Sequence, residues 1–178
     1  MTPPSVNPSG APYPPPYWSG PTPAQAPKPS WRGRLAVLFT CLAFFVIACA
    51  SPALVFLKTG GGTEQWPGFQ VLVVGWLGIL VEQFAWCANL VMALSLIFLL
   101  FRRWLAAAIL ALVALAIAAD TLLLFSHEVP ADEGNVNKLQ LVHLGPGFYF
   151  WVASMVVVVV GAIILRRRSK AGIGQLIG

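Results

Sequence analysis

Charged side chains are scarce in this chain. They make up 10% of its 178 residues, whereas 58% of the residues are hydrophobic. Soluble domains carry about 25% charged residues. A soluble fold of this size would have to bury nearly all of the chain, which its surface-to-volume ratio does not permit. The composition therefore excludes a soluble globular domain and indicates an integral membrane protein.

Motifs that carry catalysis are also missing. The sequence has no Gly-rich phosphate loop, no CxxC pair, no Ser nucleophile elbow and no HExxH helix. Its three cysteines, Cys41, Cys49 and Cys87, all lie within apolar stretches. An odd number without a loop cysteine gives no disulfide framework, so we interpret them as small buried apolar residues. These absences predict a protein that is not an enzyme and holds no cofactor.

Positive and negative charges are segregated along the hydrophobic pattern. The acidic residues all fall at or near one set of ends of four apolar stretches: Glu64, Glu82, Asp120, Glu128, Asp132 and Glu133. Nine of the eleven basic residues flank the opposite ends: Lys28, Arg32, Arg34, Arg102, Arg103, Arg166, Arg167, Arg168 and Lys170. Cytoplasmic loops retain Lys and Arg. This pattern predicts a multi-pass protein of the inner or plasma membrane, with both termini in the cytoplasm.

The predicted fold is an all-α, four-transmembrane-helix bundle over residues 31–168, followed by a short cytoplasmic tail, 169–178. About 20 helical residues cross ~30 Å of hydrocarbon. The four predicted spans are about 35–57, 80–101, 104–125 and 148–165. The net charge of +5 is explained by the membrane edges, so we expect lipid, and no nucleic acid, as the partner of these charges.

The apolar stretch from Gln70 to Phe101 is longer than one span requires. We expect residues 71–79 to form an interfacial or partly re-entrant helix on the outer side, before the second span. The alternative is one tilted helix of about 31 residues. Glu82 favours the division, because the carboxylate then lies at the outer boundary rather than deep in lipid.

Residues 1–30 contain eleven of the fifteen prolines. Such a segment buries too little apolar surface to fold alone, so we expect a disordered cytoplasmic tail with polyproline II character. Residues 14–17 match the PPxY pattern that WW domains bind. In a eukaryotic cell this match would suggest a WW partner, although such runs also arise by chance in biased tails. The tail therefore predicts a cytoplasmic protein partner. Cleavage before Cys49 is the alternative for the first span, but the apolar run continues to Leu57.

Polar residues inside the spans suggest a second feature. Glu82, Trp86 and Asn89 share one helix face at i, i+4 and i+7, and Asp120 lies five residues from the outer end of the third span. With Gln83 and Thr121 they form a candidate intramembrane cluster in the outer half of the bundle. It predicts either a polar cavity for an ion, proton or substrate, or hydrogen bonds between helices with carboxylates that reach the interface. We favour the second interpretation.

Small residues mark a helix-packing stripe. Ala107, Ala111, Ala114 and Ala118 recur on one face of the third span, which permits close backbone approach. The stripe faces either the same bundle or a second copy, so a homo-oligomer is open.

His127 and His143 in the second outer loop are weak candidates for a metal or an outer haem. Their spacing fits no strong motif, and we predict neither.

Two segments resemble a known group of proteins. Gly75–Leu80 with Phe84–Asn89 reads GWLGIL and FAWCAN, and Gly147–Ser154 reads GFYFWVAS. Residues 66–165 resemble a family of small, uncharacterised bacterial four-span membrane proteins with these segments, although Leu90 replaces the proline that members often carry. The resemblance implies a bacterial inner membrane and draws attention to five residues: Trp86, Asn89, Tyr149, Trp151 and Ser154.

These observations predict a non-enzymatic accessory or interaction protein whose proline-rich tail reaches cytoplasmic partners. The alternative is a small oligomeric transporter or channel component that uses Glu82, Asn89 and Asp120. A third class, a membrane enzyme that uses the histidines and acids of the second outer loop, has the least support.

Overall fold

The computed structural model describes residues 31–58, 61–126, 128–130 and 138–174. The chain is mostly helical, with helices packed lengthwise and a small sheet at one end. The predicted disordered tail lies outside the described residues, as do His127, Asp132 and Glu133.

Four helices form a bundle. They are α1 (Trp31–Ala50), α3 (Cys87–Leu100), α4 (Trp104–Ala118, continued by 3-10 turns over Ala119–Phe125) and α5 (Pro146–Gly174). Helix α5 packs against α1 and α4, and α3 packs against α4. Among the described residues, three helices are long and apolar enough, by length and composition, to cross a membrane: Trp31–Ala50, Trp104–Phe125 and Pro146–Ala171. Helix α3 is shorter, at 14 residues.

The prediction of an all-α fold is wrong in one respect, because an antiparallel sheet closes one end of the bundle. Its strands are β1 (Pro52–Lys58), β2 (Thr63–Pro67), β3 (Glu128–Pro130) and β4 (Lys138–Leu144), in the order β2-β1-β4-β3. Strand β1 pairs with β2 and β4, and β3 pairs with β4. The sheet therefore joins the segment after α1 to the segment before α5.

The first predicted span, 35–57, ends early because of Pro52. Proline disfavours the helical conformation of the residue before it, and α1 accordingly ends at Ala50, one residue before Ser51. The apolar residues that follow, 53–56, are all buried in the central strand β1. A short apolar run fits a buried strand as well as a helix. Here the pairing of β1 with β2 and β4 determines that these residues form a strand.

The second predicted span, 80–101, begins later than expected. Residues 68–81 form helix α2 (Gly68–Val74) and a 3-10 helix (Gly75–Val81). They include residues 71–79, which the sequence predicts on the outer side, and are called the outer segment after that prediction. Glu82 then adopts a left-handed conformation with φ 61°. Its neighbour Gln83 donates a backbone hydrogen bond to Gly78 O over 2.9 Å, the pattern of a Schellman helix end. Helix α3 starts only at Cys87, so a single long helix is not formed.

Helix α3 ends with the same hydrogen-bond pattern. Arg102 has φ 62°, and Arg103 N donates to Phe98 O over 2.9 Å. From α1, Arg34 Nη1 donates to Leu100 O over 2.8 Å. An arginine on the free carbonyls of a helix C-terminus is favourable. Arg34 therefore ties the end of α3 to the start of α1.

The small-residue stripe of α4 lies inside the bundle. Its four alanines are buried against α3 and α5, and Ser95 Oγ donates to Ala107 O over 2.7 Å. On α5, Gly161 faces Val37 of α1 so closely that an added Cβ would lie 2.5 Å from Val37 Cγ2. The stripe is thus used for packing within one chain.

Helix α5 extends beyond the predicted fourth span, 148–165, at both ends. Pro146 occupies its first position, where a missing N–H costs nothing. At the other end, the helix continues through Arg166–Arg168 to Gly174. The residues of the predicted C-terminal tail up to 174 are therefore helical.

Candidate ligand cavity

A cavity of about 680 Å³ lies at the end of the bundle that carries the sheet. Its walls come from the end of α1, strands β1, β2 and β4, the outer segment, the starts of α3 and α5, and the 3-10 turns after α4. Pockets for small molecules in proteins have volumes of about 300–1,000 Å³. The cavity is large enough for a ligand rather than for water alone.

The cavity walls are apolar and uncharged. No Asp, Glu, Lys, Arg or His occurs among the described residues that line it. Apart from the tryptophan indoles and the thiol of Cys49, the polar side chains of the lining within the described part of the chain are those of Gln83, Asn89 and Thr121. Six aromatic residues contribute to the lining: Phe45, Phe56, Trp66, Trp86, Phe148 and Trp151. A charged ligand group would lose its hydration there without gaining a counter-charge.

Asn89 is held by Trp151. The indole Nε1 of Trp151 on α5 donates to Oδ1 of Asn89 on α3 over 2.9 Å. An indole N–H can only donate, so this bond fixes which end of the amide is the oxygen. The two N–H groups on Asn89 Nδ2 remain, and no described residue accepts a hydrogen bond from them. Asn89 therefore brings unused donors to the cavity wall.

Thr121 brings a hydroxyl group to the same cavity. Its side chain belongs to the 3-10 turns after α4 and is 5% exposed. Among the described residues its Oγ1 has no hydrogen-bond partner. No fully buried side-chain polar atom in the described part of the chain lacks a partner, so this oxygen retains some accessible surface. Thr121 is itself one of the residues that line the cavity.

The outer segment forms one wall and is fastened by Trp86. The indole Nε1 of Trp86 donates to Leu72 O over 2.8 Å. The Trp86 ring lies against Gly75, where an added Cβ would come within 2.9 Å of Trp86 Cδ1. The other side of the segment is apolar and exposed, with Val73 at 65% and Trp76 at 53% exposure. One surface of the segment thus faces the cavity and another faces the surroundings.

The predicted cluster of Glu82, Asn89 and Asp120 is not assembled around the cavity. Asn89 lines it, but Glu82 and Asp120 do not. Glu82 is exposed at its left-handed turn. Asp120 Oδ2 accepts a hydrogen bond from Phe84 N over 2.7 Å, and Asp120 O accepts one from Gln83 Nε2 over 2.9 Å. Asp120 therefore holds the turn that precedes α3.

Among the remaining candidates, His143 is an exposed residue of β4. In the parts of the chain that the structure describes, no three His, Cys, Asp or Glu residues are grouped for a metal ion. Of the five residues to which the sequence resemblance draws attention, Trp86, Asn89 and Trp151 line the cavity. Tyr149 is exposed, and Ser154 is buried with its Oγ donating to Trp151 O over 2.6 Å.

A polar network lies on the sheet next to the cavity. Lys58 Nζ and Glu64 Oε2 form an ion pair at 2.9 Å, and Trp66 Nε1 donates to Glu64 Oε1 over 2.9 Å. The hydrogen bonds from Lys58 and from Trp66 lower the pKa of Glu64 below its usual range. The network orients the Trp66 ring, which packs edge-on against Phe56 at 5.2 Å between ring centres.

Sequence reasoning missed the contribution of the sheet to this site. Trp66 reads as an interfacial turn residue next to Pro67, and Phe56 reads as part of the first span. Neither residue carries a signal for a cavity wall until β1 is paired with β2.

Comparison of the chain with family models, curated proteins and solved structures finds no match to any of them.

Proposed function

We propose that this protein is a non-enzymatic accessory protein of a bacterial cell membrane, and that it binds a small apolar ligand in the outer half of a four-span bundle. The uncharged cavity of about 680 Å³ carries the proposal. An apolar pocket with a few convergent polar groups is the expected form of a small-molecule site.

The fourth crossing in this proposal is made by α3 together with the residues around it. Its 14 residues rise about 21 Å at 1.5 Å per residue, which is less than the ~30 Å of the hydrocarbon core. The outer segment fills the remaining depth beside the start of α3, and its exposed residues Val73, Trp76 and Leu80 are suited to contact acyl chains.

The orientation in this proposal follows the charges. Arg34 near the start of α1, Arg103 just before α4 and Arg166 in the last third of α5 lie on one side of the bundle, whereas the sheet with Glu64 closes the other side. Because arginine is retained in the cytoplasm, the sheet and the cavity are placed on the outer side, and both termini on the inner side. No observation on the described residues favours the transporter alternative, since Glu82 and Asp120 do not reach the cavity.

A binding measurement in nanodiscs tests the ligand proposal. The probe is 1-methylnaphthalene, an uncharged aromatic hydrocarbon, titrated calorimetrically into protein-containing and empty discs. We expect saturable heat above the lipid background. Ala85, a buried residue of the cavity wall, is replaced by Phe to fill the space, and binding should be lost.

The matched control is Ala116→Phe, at an exposed position of α4. It adds the same ring outside the cavity and should leave binding unchanged. Equal binding to the Ala85→Phe variant, or absence of saturable binding both of this probe and of an oxygenated compound with the same fused rings, would contradict the proposal.

The proline-rich tail, residues 1–30, is proposed to bind a cytoplasmic protein. Its length and its eleven prolines support this role, and the proline-tyrosine motif at residues 14–17 is the part that the test addresses. A pull-down with residues 1–30 should capture a partner that a Tyr17→Ala peptide does not capture. Equal capture by both peptides would contradict the role of the motif.

A further inference from the structure

Asn89 and Thr121, two polar side chains of the cavity wall, carry donors that have no acceptor among the described residues. The oxygen of Asn89 already accepts one hydrogen bond from Trp151, and its two N–H groups can only donate. Thr121 offers a hydroxyl that can donate as well. A ligand that satisfies the Asn89 amide nitrogen must therefore carry a hydrogen-bond acceptor. Leaving such groups unpaired in an apolar enclosure costs free energy, so a pure hydrocarbon is not the best occupant.

The walls restrict the acceptor further. A carboxylate or phosphate would meet no positive charge on the described lining, and its desolvation would oppose binding. Neutral carbonyl oxygens avoid that cost. Water could satisfy the two groups as well, but it would leave most of the apolar wall without contacts.

The aromatic content indicates the shape of the ligand. Three indole rings and three phenyl rings line the cavity, and two of them, Phe148 and Trp151, are themselves in edge contact at 5.9 Å. Aromatic side chains favour stacked or edge-on contacts with planar rings. A planar head group gains more from these walls than a flexible acyl chain of the same volume.

The position of the cavity indicates where the ligand comes from. In the proposed orientation the outer segment separates the cavity from the outer leaflet, and its exposed residues are apolar. A molecule that reaches this cavity sideways is dissolved in the membrane rather than in water. A long apolar tail could then stay among the acyl chains while the head group enters the cavity.

We infer that the ligand is an isoprenoid quinone: a neutral, membrane-dissolved molecule with a planar ring that bears carbonyl acceptors. Asn89 Nδ2 and Thr121 Oγ1 donate to the quinone oxygens, and the indole and phenyl rings contact the planar head. The inference concerns binding, and it rests on the proposed function of the cavity.

Two ligands that differ in their carbonyl groups test the inference. Menadione (2-methyl-1,4-naphthoquinone) is compared with 1-methylnaphthalene, which has the same fused rings without the oxygens. Both are titrated calorimetrically into nanodiscs that contain the full chain, with empty discs as the blank. We expect menadione to bind at least about 10-fold more tightly, since each hydrogen bond adds roughly 3- to 10-fold.

Variants at Thr121 separate the hydrogen bond from the shape of the site. Thr121→Val keeps the side-chain shape but removes the hydroxyl, and it should weaken menadione binding about 3- to 10-fold while leaving 1-methylnaphthalene unchanged. Thr121→Ser retains the hydroxyl and should bind menadione like the wild type. Melting temperatures of all variants establish that each is folded.

The outcomes distinguish the two proposals. If neither compound binds, the ligand-binding function itself is wrong. If both bind equally, or if Thr121→Val weakens both equally, the cavity binds apolar molecules but the quinone inference is overturned. Tighter binding of a diacylglycerol than of menadione would likewise overturn the planar head group.

Discussion

The indole Nε1 of Trp151 donates a hydrogen bond to Oδ1 of Asn89 over 2.9 Å, although the two residues are 62 positions apart in the chain. This bond links α5 to α3 at the cavity wall. It satisfies an amide oxygen that would be costly to leave unpaired away from water. It also identifies the nitrogen end of the amide, whose two N–H groups have no acceptor among the described residues.

Removing this bond should destabilise the bundle moderately. Trp151→Phe keeps an aromatic ring but deletes the donor, and we expect a loss of about 0.5–2 kcal/mol, the range for hydrogen bonds between membrane helices. Thermal unfolding in detergent measures the loss. A double-mutant cycle with Asn89→Leu isolates the pair, because both single variants remove the same interaction. Strictly additive effects would show that the two residues do not interact.

The contact between α1 and α5 should tolerate no extra atoms at Gly161. A Cβ there would lie 2.5 Å from Val37 Cγ2 and 2.6 Å from Val37 Cγ1. Gly161→Ala should therefore lower the free energy of unfolding by about 1–3 kcal/mol, as overpacking does elsewhere. Thermal unfolding of the detergent-solubilised protein measures it.

The matched control for this contact is Val37→Ala, which removes both colliding methyl groups. In the Val37→Ala background, Gly161→Ala should lower the free energy of unfolding much less than it does in the wild-type protein. An unchanged melting temperature for Gly161→Ala in the wild-type background would show that α1 and α5 do not approach each other as described.

Glu82 should be important for its backbone conformation rather than for its carboxylate. Its φ of 61° is unfavourable for a side chain by about 1–2 kcal/mol. Glu82→Gly should therefore leave stability unchanged or raise it, and Glu82→Val should lower it, because a β-branched residue is strained there. Melting temperatures of the two variants test this. A large loss of stability in Glu82→Gly would indicate that the carboxylate itself is needed.

Asp120 should act as a structural support for the start of α3. Its Oδ2 accepts the backbone hydrogen bond of Phe84 at 2.7 Å, and hydrogen bonds to charged groups contribute about 1.5–3 kcal/mol. Asp120→Ala should destabilise the protein by an amount in this range while leaving the affinity for an apolar probe nearly unchanged. Unaltered stability combined with lost binding would instead place Asp120 in the ligand site.

The ion pair of Lys58 and Glu64 should make the sheet sensitive to acid. The pKa of Glu64 is lowered in the folded protein from its ordinary value of 4.5. The carboxylate therefore stabilises the fold at pH values above 4.5, and this contribution disappears as the pH falls below 4.5 through the lowered pKa. Stability measured against pH should decline in this acid window. In Glu64→Gln this part of the decline should be absent, and an identical pH profile would contradict the assignment.

The sequence predicts the parts of the fold that depend on local hydrophobicity and on the positions of charged residues. The helical residues Trp104–Phe125 begin directly after an arginine pair, and they coincide with the third predicted span. The break near Glu82 also follows from a local cost, since a carboxylate is unfavourable deep in lipid. Such features need no knowledge of distant partners.

The sheet and the cavity depend on distant partners and were not predictable in this way. Residues 53–56 are apolar in either a helix or a strand, and their strand identity comes from pairing with β4 more than 80 residues later. Asn89 was identified as a polar residue that needs a partner, but its bond to Trp151 requires the packing of α3 on α5. Glu82 and Asn89 do not share a helix face, because residues 82–86 are not helical and α3 begins only at Cys87.

The most direct test of the central claim, that four helices cross the membrane with the sheet outside, is accessibility to a membrane-impermeant maleimide. Cys41, Cys49 and Cys87 are first replaced by alanine, and single cysteines are introduced as Thr63→Cys in β2, Arg103→Cys before α4 and Lys170→Cys near the end of α5. In intact spheroplasts Thr63→Cys should be labelled, while Arg103→Cys and Lys170→Cys should react only after permeabilisation. Labelling of Arg103→Cys in intact spheroplasts would contradict the account.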